Sequence, residues 1–217
     1  MTTRRLFLSL IALHFNFNTI AQSSLLIQKA IDFSYREQWD SAIACYNSMA
    51  IKNNTFYFDR GMCHHLSTDF KKSNSDFFMY TKMHPLEADG WLLLAESSLY
   101  IENYRLTKKA VRHFIKMEPK NSAAYFIEAC ACFYTNRSNK ARKLFVKSIL
   151  YDPEFTLSNL YLSIGLLKGH SGPDKIDALD SLILNEFTLH PPRNNFEGSI
   201  MNWHINHLRT FYQSYLE

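Results

Sequence analysis

"KMHPLEADGW", residues 82–91, sets a proline between two apolar-periodic runs and an aromatic residue six positions after it. "KMEPKNSAAY", residues 116–125, repeats the phrase, with Pro119 thirty-four residues after Pro85, and Pro153 follows at the same distance. Proline disfavours a helical residue before it and suits the first turn of a helix after it. The phrase therefore stops one helix and starts the next. Its recurrence makes the unit of the fold a 34-residue repeat.

Other positions keep the same step. Small residues recur at Gly61, Ala95, Ala129 and Ser163, and large ones four places earlier at Tyr57, Trp91 and Tyr125. A second small position falls at Ser73, Thr107 and Ala141, followed four residues later by Phe77, Val111 and Phe145. An earlier copy with a shorter connection contains Ala30, Trp39, Ala42 and Tyr46. A small residue in the first helix of a pair lets the second approach closely, and large neighbours fill the space beside that contact. "TDFKKSNSDFFMYTKM" and "ENYRLTKKAVRHFIKM" carry apolar residues on a helical period and form the second helices.

These residues resemble the tetratricopeptide repeat, a helix–turn–helix unit written W-x2-L-G-x2-Y, then A-x3-F, then P. Tyr57, Gly61, Phe77 and Pro85 match one copy; Trp91, Leu94, Ala95 and Pro119 the next; Tyr125, Ala129, Ala141, Phe145 and Pro153 a third. The resemblance implies an all-α solenoid of four to five repeats, over residues 23–53, 54–87, 88–121, 122–155 and 156–191. The fifth copy is distorted, because "GHSGPD" inserts turn residues and Ala178 falls three places late. Residues 192–217, with Ile200, Trp203, His204, His207, Leu208, Phe211 and Tyr215 at threes and fours, form a closing helix.

Composition agrees with helices. Six Gly and six Pro in 217 residues leave few tight turns, and 47% hydrophobic residues supply a core. Residues 1–21 stand apart. Arg4 and Arg5 precede an apolar core from Leu6 to Leu13, and Ala21 offers a small residue at the cut, which is the pattern of a signal peptide. That core is too short to span a bilayer. Removing this segment takes away Arg4 and Arg5 and no acid, so the formal charge falls from +4 to +2. Such an excess is too small to argue for nucleic acid or an anionic membrane, and no nucleic-acid partner is expected.

Nothing in the sequence assembles a catalytic site, and none is assigned. Cys130 and Cys132 diverge by about 200° on a helix and serve packing rather than a shared metal. Cys45 and Cys63 are read the same way, with a bridge between them as the lesser alternative in an exported chain. His64 and His65 are adjacent, and His204 and His207 lack a third ligand, so no metal or cofactor is expected. The basic runs Lys108, Lys109, Arg112, Lys116 and Lys140, Arg142, Lys143, Lys147 read as solvated faces of second helices.

By the resemblance, first helices line a concave groove that binds peptides or partner helices. One register presents Phe58, Leu92, Phe126 and Leu160. The next presents Met62, Glu96, Cys130 and Ile164, and the third His65, Leu99, Phe133 and Leu167. The Lys, Asn and Arg with which chaperone-binding members clamp a carboxylate are missing. The groove is apolar, so it is filled either by an amphipathic helix or apolar peptide of a partner protein or by the closing helix itself. The function expected is that of an exported scaffold or assembly factor, periplasmic or outer-envelope associated or secreted. The rival is a small envelope hydrolase or thiol enzyme built on the same frame.

Overall fold

In the computed structural model the described residues are 21–152, 181 and 195–213, and every regular element among them is helical. We number the helices α1 (21–35), α2 (Trp39–Asn47), α3 (Phe56–Leu66), α4 (Phe70–Met83), α5 (Ala88–Tyr100), α6 (Tyr104–Met117), α7 (Ser122–Phe133), α8 (Ser138–Tyr151) and α9 (Asn195–Gln213). The chain forms two compact units, residues 1–80 and 81–217. The class is an all-α solenoid of paired helices with a closing helix. Pro153 and the sequence-derived fifth repeat, with Ser163 and Ala178, lie outside the described residues, Ser181 apart.

The small positions mark where paired helices touch. A Cβ added to Gly61 would lie 3.0 Å from Cε1 of Phe77 and 3.2 Å from Cβ of Asp76, so α3 and α4 meet there with no room for a side chain. Ala95 and Ala129 are fully buried on α5 and α7. In register on the second helices Phe77, Val111 and Phe145 are all buried as well. Interdigitation of this kind keeps interiors at crystal-like density.

Each hairpin turns through a left-handed residue. Glu37, Thr68, Glu102 and Asn136 have φ of 56°, 64°, 59° and 57°, and the last three are thirty-four residues apart. Around Thr68 the amide of Thr68 donates to the His65 carbonyl at 2.9 Å and that of Asp69 to His64 at 2.8 Å. The same pair recurs at Glu102 with Leu99 (2.9 Å) and Asn103 with Ser98 (2.8 Å), and at Asn136 with Phe133 (3.0 Å) and Arg137 with Cys132 (2.9 Å). This is the Schellman arrangement, which satisfies the last carbonyls of one helix while reversing the chain. At two of these turns the following residue also caps the next helix: Asp69 Oδ1 accepts from the Lys72 amide (3.2 Å) and Asn103 Oδ1 from the Leu106 amide (3.1 Å).

The repeated phrase of the sequence has a matching geometry. Trp91 Nε1 donates to the Pro85 carbonyl at 2.9 Å, and the Tyr125 hydroxyl donates to the Pro119 carbonyl at 2.7 Å. Each aromatic body then packs on the second helix of its own repeat. Trp91 stacks on His113 at 4.2 Å, and Lys147 Nζ sits 4.3 Å from the Tyr125 ring centroid. His113 and Lys147 are again thirty-four apart.

Ion pairs fasten individual hairpins. Arg60 donates from Nε (2.8 Å) and Nη2 (2.6 Å) to the two oxygens of Asp76, and from Nη1 to Asn47 (2.8 Å), so α3 is held to α4 and α2. Lys140 Nζ reaches Glu128 at 2.6 Å, joining α8 to α7. Lys140 and Lys147 thus leave the purely solvated role expected of the second basic run. Lys109, Arg112 and Lys116 are exposed as expected.

Two substitutions in the first unit are predicted to act in opposite directions. Thr68 is β-branched and left-handed, a costly combination. Thr68→Gly should stabilise the fold by about 1 kcal/mol in a denaturant titration. Gly61→Leu should cost roughly 1–3 kcal/mol, because Phe77 is fully buried and cannot move aside. Equal midpoints for both variants and the parent would contradict this packing.

Candidate functional site

The predicted groove residues fall into three groups by exposure. Phe58, Met62, Leu92 and Glu96 are half-buried. His65, Leu99, Phe126 and Phe133 are buried at 2%, 1%, 4% and 5% exposure, so they belong to the interior rather than to an open surface. Leu160, Ile164 and Leu167 lie outside the described residues. His65 packs edge-on against Phe70 (5.4 Å) and Phe77 (6.1 Å) of α4, which places its ring between α3 and α4. Phe58 keeps contact with Tyr80 at 5.0 Å and Phe77 at 6.1 Å.

In the second unit the closing helix meets the first-helix face. The His204 ring lies 5.4 Å from Phe126 and 6.0 Å from Tyr100, and Trp203 lies 5.0 Å from Tyr100. Trp203 and His207 stack at 3.7 Å, and His207 contacts Tyr134 at 6.0 Å. At the rim, His207 Nε2 is 3.2 Å from Glu102 Oε1. Ile200, His204 and Leu208 are buried at a spacing of four, one face of α9. Of the two fillings that the sequence leaves open for Phe126, the chain's own helix is the one in contact with it. Glu96, predicted to line the groove, accepts a hydrogen bond from the Tyr100 hydroxyl at 2.9 Å.

The first unit carries an open cleft. Ile31, Ser34 and Tyr35 of α1 and its end, Trp39 and Tyr46 of α2, and Asp59, Met62, Cys63 and Leu66 of α3 enclose about 310 Å³. Of the predicted groove residues, Met62 is part of this lining. Asp59 and the α1 residues are not singled out by the sequence, since one acid and scattered aromatics carry no period of their own. The cleft floor joins the buried cluster of Ala30, Ala42, Tyr46, Met49, Phe56 and Cys63.

The environments of Cys63 and Cys132 do not resemble that of a nucleophile. Cys63 is buried, its Sγ lies 3.5 Å from Ser34 Oγ, and burial pushes the thiol up from its ordinary pKa. Burial likewise raises Cys132. A reactive thiol needs the opposite shift. All four cysteines are unbridged. Among the described residues no three His, Cys, Asp or Glu side chains come together to hold a metal, and no helix is long and apolar enough to cross a membrane.

No protein-family model matches the sequence, and no curated protein matches it. Solved structures do match. MamA (residues 41 to the end) from Desulfovibrio magneticus RS-1 superposes with a TM-score of 0.64 at 14% identity, over 80% of this chain and 98% of that one. A further MamA structure gives 0.62 at 12% identity, over 77% and 88%. The tetratricopeptide domain of Arabidopsis OM64 gives 0.50 at 14% identity, over 54% and 96%. The fold is a tetratricopeptide-type solenoid. At such identities the likeness is one of fold.

His204 generates a pH prediction. It is fully buried, and burial lowers its pKa from 6.5 to about 3, with Glu96 opposing and His207 reinforcing the shift. Below about pH 6.5 the unfolded chain takes a proton that the folded chain refuses. The stability of the α9 packing should therefore fall as pH falls from about 6.5 toward about 3, by at most about 1.4 kcal/mol per unit. Melting curves over that range would measure the slope. His204→Leu should flatten it relative to the parent, and an unchanged slope would remove His204 as its source.

Proposed function

We propose that the chain is an exported protein-binding module, a scaffold or assembly factor of the cell envelope, that holds partners on its first-helix faces and catalyses nothing itself. The observation that carries this reading is the open cleft between α1, α2 and α3, where Met62 and Leu66 are half-buried and Tyr35 is 86% exposed. Side chains of this size at a concave surface supply contact area of the kind that dominates binding energy. The tetratricopeptide-type fold supports the reading, since repeats of this kind generate extended concave binding surfaces. Two buried thiols with raised pKa weigh against the thiol-enzyme alternative. Export rests on Arg4, Arg5, the apolar run Leu6 to Leu13 and Ala21.

The test is cross-linking in envelope extract with the full chain and with a Met62→Ser, Leu66→Ser double variant. The variant should stay folded by circular dichroism and lose its cross-linked partner, with affinity down by about tenfold or more. A partner retained at full yield by the variant would count against this surface. N-terminal sequencing of the native protein should start at Gln22, and an intact Met1 would end the export claim.

A further inference from the structure

The cleft of the first unit has a chemical asymmetry. Its walls are apolar and aromatic, yet one carboxylate, Asp59, stands among them. Thr55 Oγ1 donates to Asp59 Oδ2 at 2.6 Å. Burial pushes the carboxyl up from its ordinary pKa, against that hydrogen bond. The cations close by are engaged elsewhere. Arg60 is bidentate on Asp76, bonded to Asn47, and lies 4.7 Å from the Phe56 ring centroid. Lys52 sits over Phe56 at 4.9 Å and Tyr57 at 5.3 Å. Lys72 pairs with Asp69 at 2.7 Å. Among the described residues no Lys or Arg forms an ion pair with Asp59.

A purely apolar ligand closing this cleft would desolvate Asp59 further without offering it a partner, which is costly for a charged group. A cation removes that cost and gains a charge-assisted hydrogen bond. Trp39 and Tyr35 add aromatic faces, which attract cations. Met62, Leu66 and Ile31 suit the hydrocarbon stem of a long basic side chain, whose head reaches a polar group while its stem lies on apolar surface. We infer that this cleft receives a Lys or Arg side chain from an amphipathic segment of a partner protein, with the charged head on Asp59 and the stem along Trp39, Met62 and Leu66. This rests on the protein-binding reading and narrows the partner from an apolar peptide to a basic amphipathic one.

The test uses the full chain and three probes in calorimetric titrations. They are a synthetic Leu/Ala helical peptide with one Lys in its apolar face, the same peptide with norleucine there, and n-butylamine. The Lys peptide should bind at least about tenfold more tightly than the norleucine peptide. Asp59→Asn, which still accepts from Thr55, should abolish that preference without lowering the melting temperature, and Asp59→Glu should keep it. Equal affinities for the two peptides, a preference that survives Asp59→Asn, or no peptide binding would overturn the inference. So would butylamine binding as tightly as the Lys peptide, since the site would then take a free amine. If the inference fails while the cross-linked partner is still lost on changing Met62 and Leu66, the protein-binding reading stands. If no partner is captured either, that reading falls with it.

Discussion

Close approach of two helices at a residue with almost no side chain is the constraint on which the rest of this structure depends. At Gly61 even one methyl would press on Phe77, and Ala95 and Ala129 hold the same place in the following pairs. Once two helices are that close, they need a short reversal. The left-handed residues Thr68, Glu102 and Asn136 provide it. The pair then has an apolar outer face that it cannot bury alone, so another pair must follow. The aromatic residue that donates to the proline carbonyl, Trp91 to Pro85 and Tyr125 to Pro119, fixes where that next pair starts. Close contact, turn and clip share one period because each is the consequence of the one before.

How legible these devices are depends on residue type. Proline and the small positions are visible because few residues do their work, and their spacing carries the resemblance that implies the solenoid. The turns are hidden for the opposite reason. A left-handed position is ordinarily marked by glycine, but here it is occupied by Glu37, Thr68, Glu102 and Asn136. Local hydrogen bonds hold Glu37, Thr68 and Glu102 where their own preference would not, whereas Asn136 tolerates that conformation. The ion pairs Arg60–Asp76 and Lys140–Glu128 were equally hidden, since charged residues are spread along every helix.

The candidate site was half legible for a geometric reason. Helical periodicity identifies a first-helix residue but not which of its neighbours covers it. His65, Leu99 and Phe133 share a register, and the sequence aligns them with an open groove. In the fold all three are buried, and His65 touches α4 through Phe70 and Phe77. Phe126 is closed off by a residue seventy-eight positions later, His204. No period links the two. Conversely, the cleft of the first unit is bounded by α1, α2 and α3, so its chemistry depends on Asp59 meeting Tyr35 and Trp39 across helix boundaries.

The two units treat their first-helix faces by different physics. In the second unit α9 covers Tyr100 and Phe126 with rings, and the imidazole at its centre is held neutral by burial. Such a cover is made of shape and stacked area, and the contact of His207 with the Glu102 carboxylate lies at the rim. An aromatic face met by aromatic rings is chemically complete. In the first unit the cleft holds a half-buried carboxylate beside exposed aromatic surface, and the neighbouring cations are bound to other groups. That surface is incomplete in charge as well as in area. Area alone would accept any apolar segment, whereas a desolvated carboxylate discriminates among segments, because leaving it unpaired costs more than any single methylene contact returns. On the proposed binding mode, specificity therefore depends on Asp59 more than on the apolar residues around it.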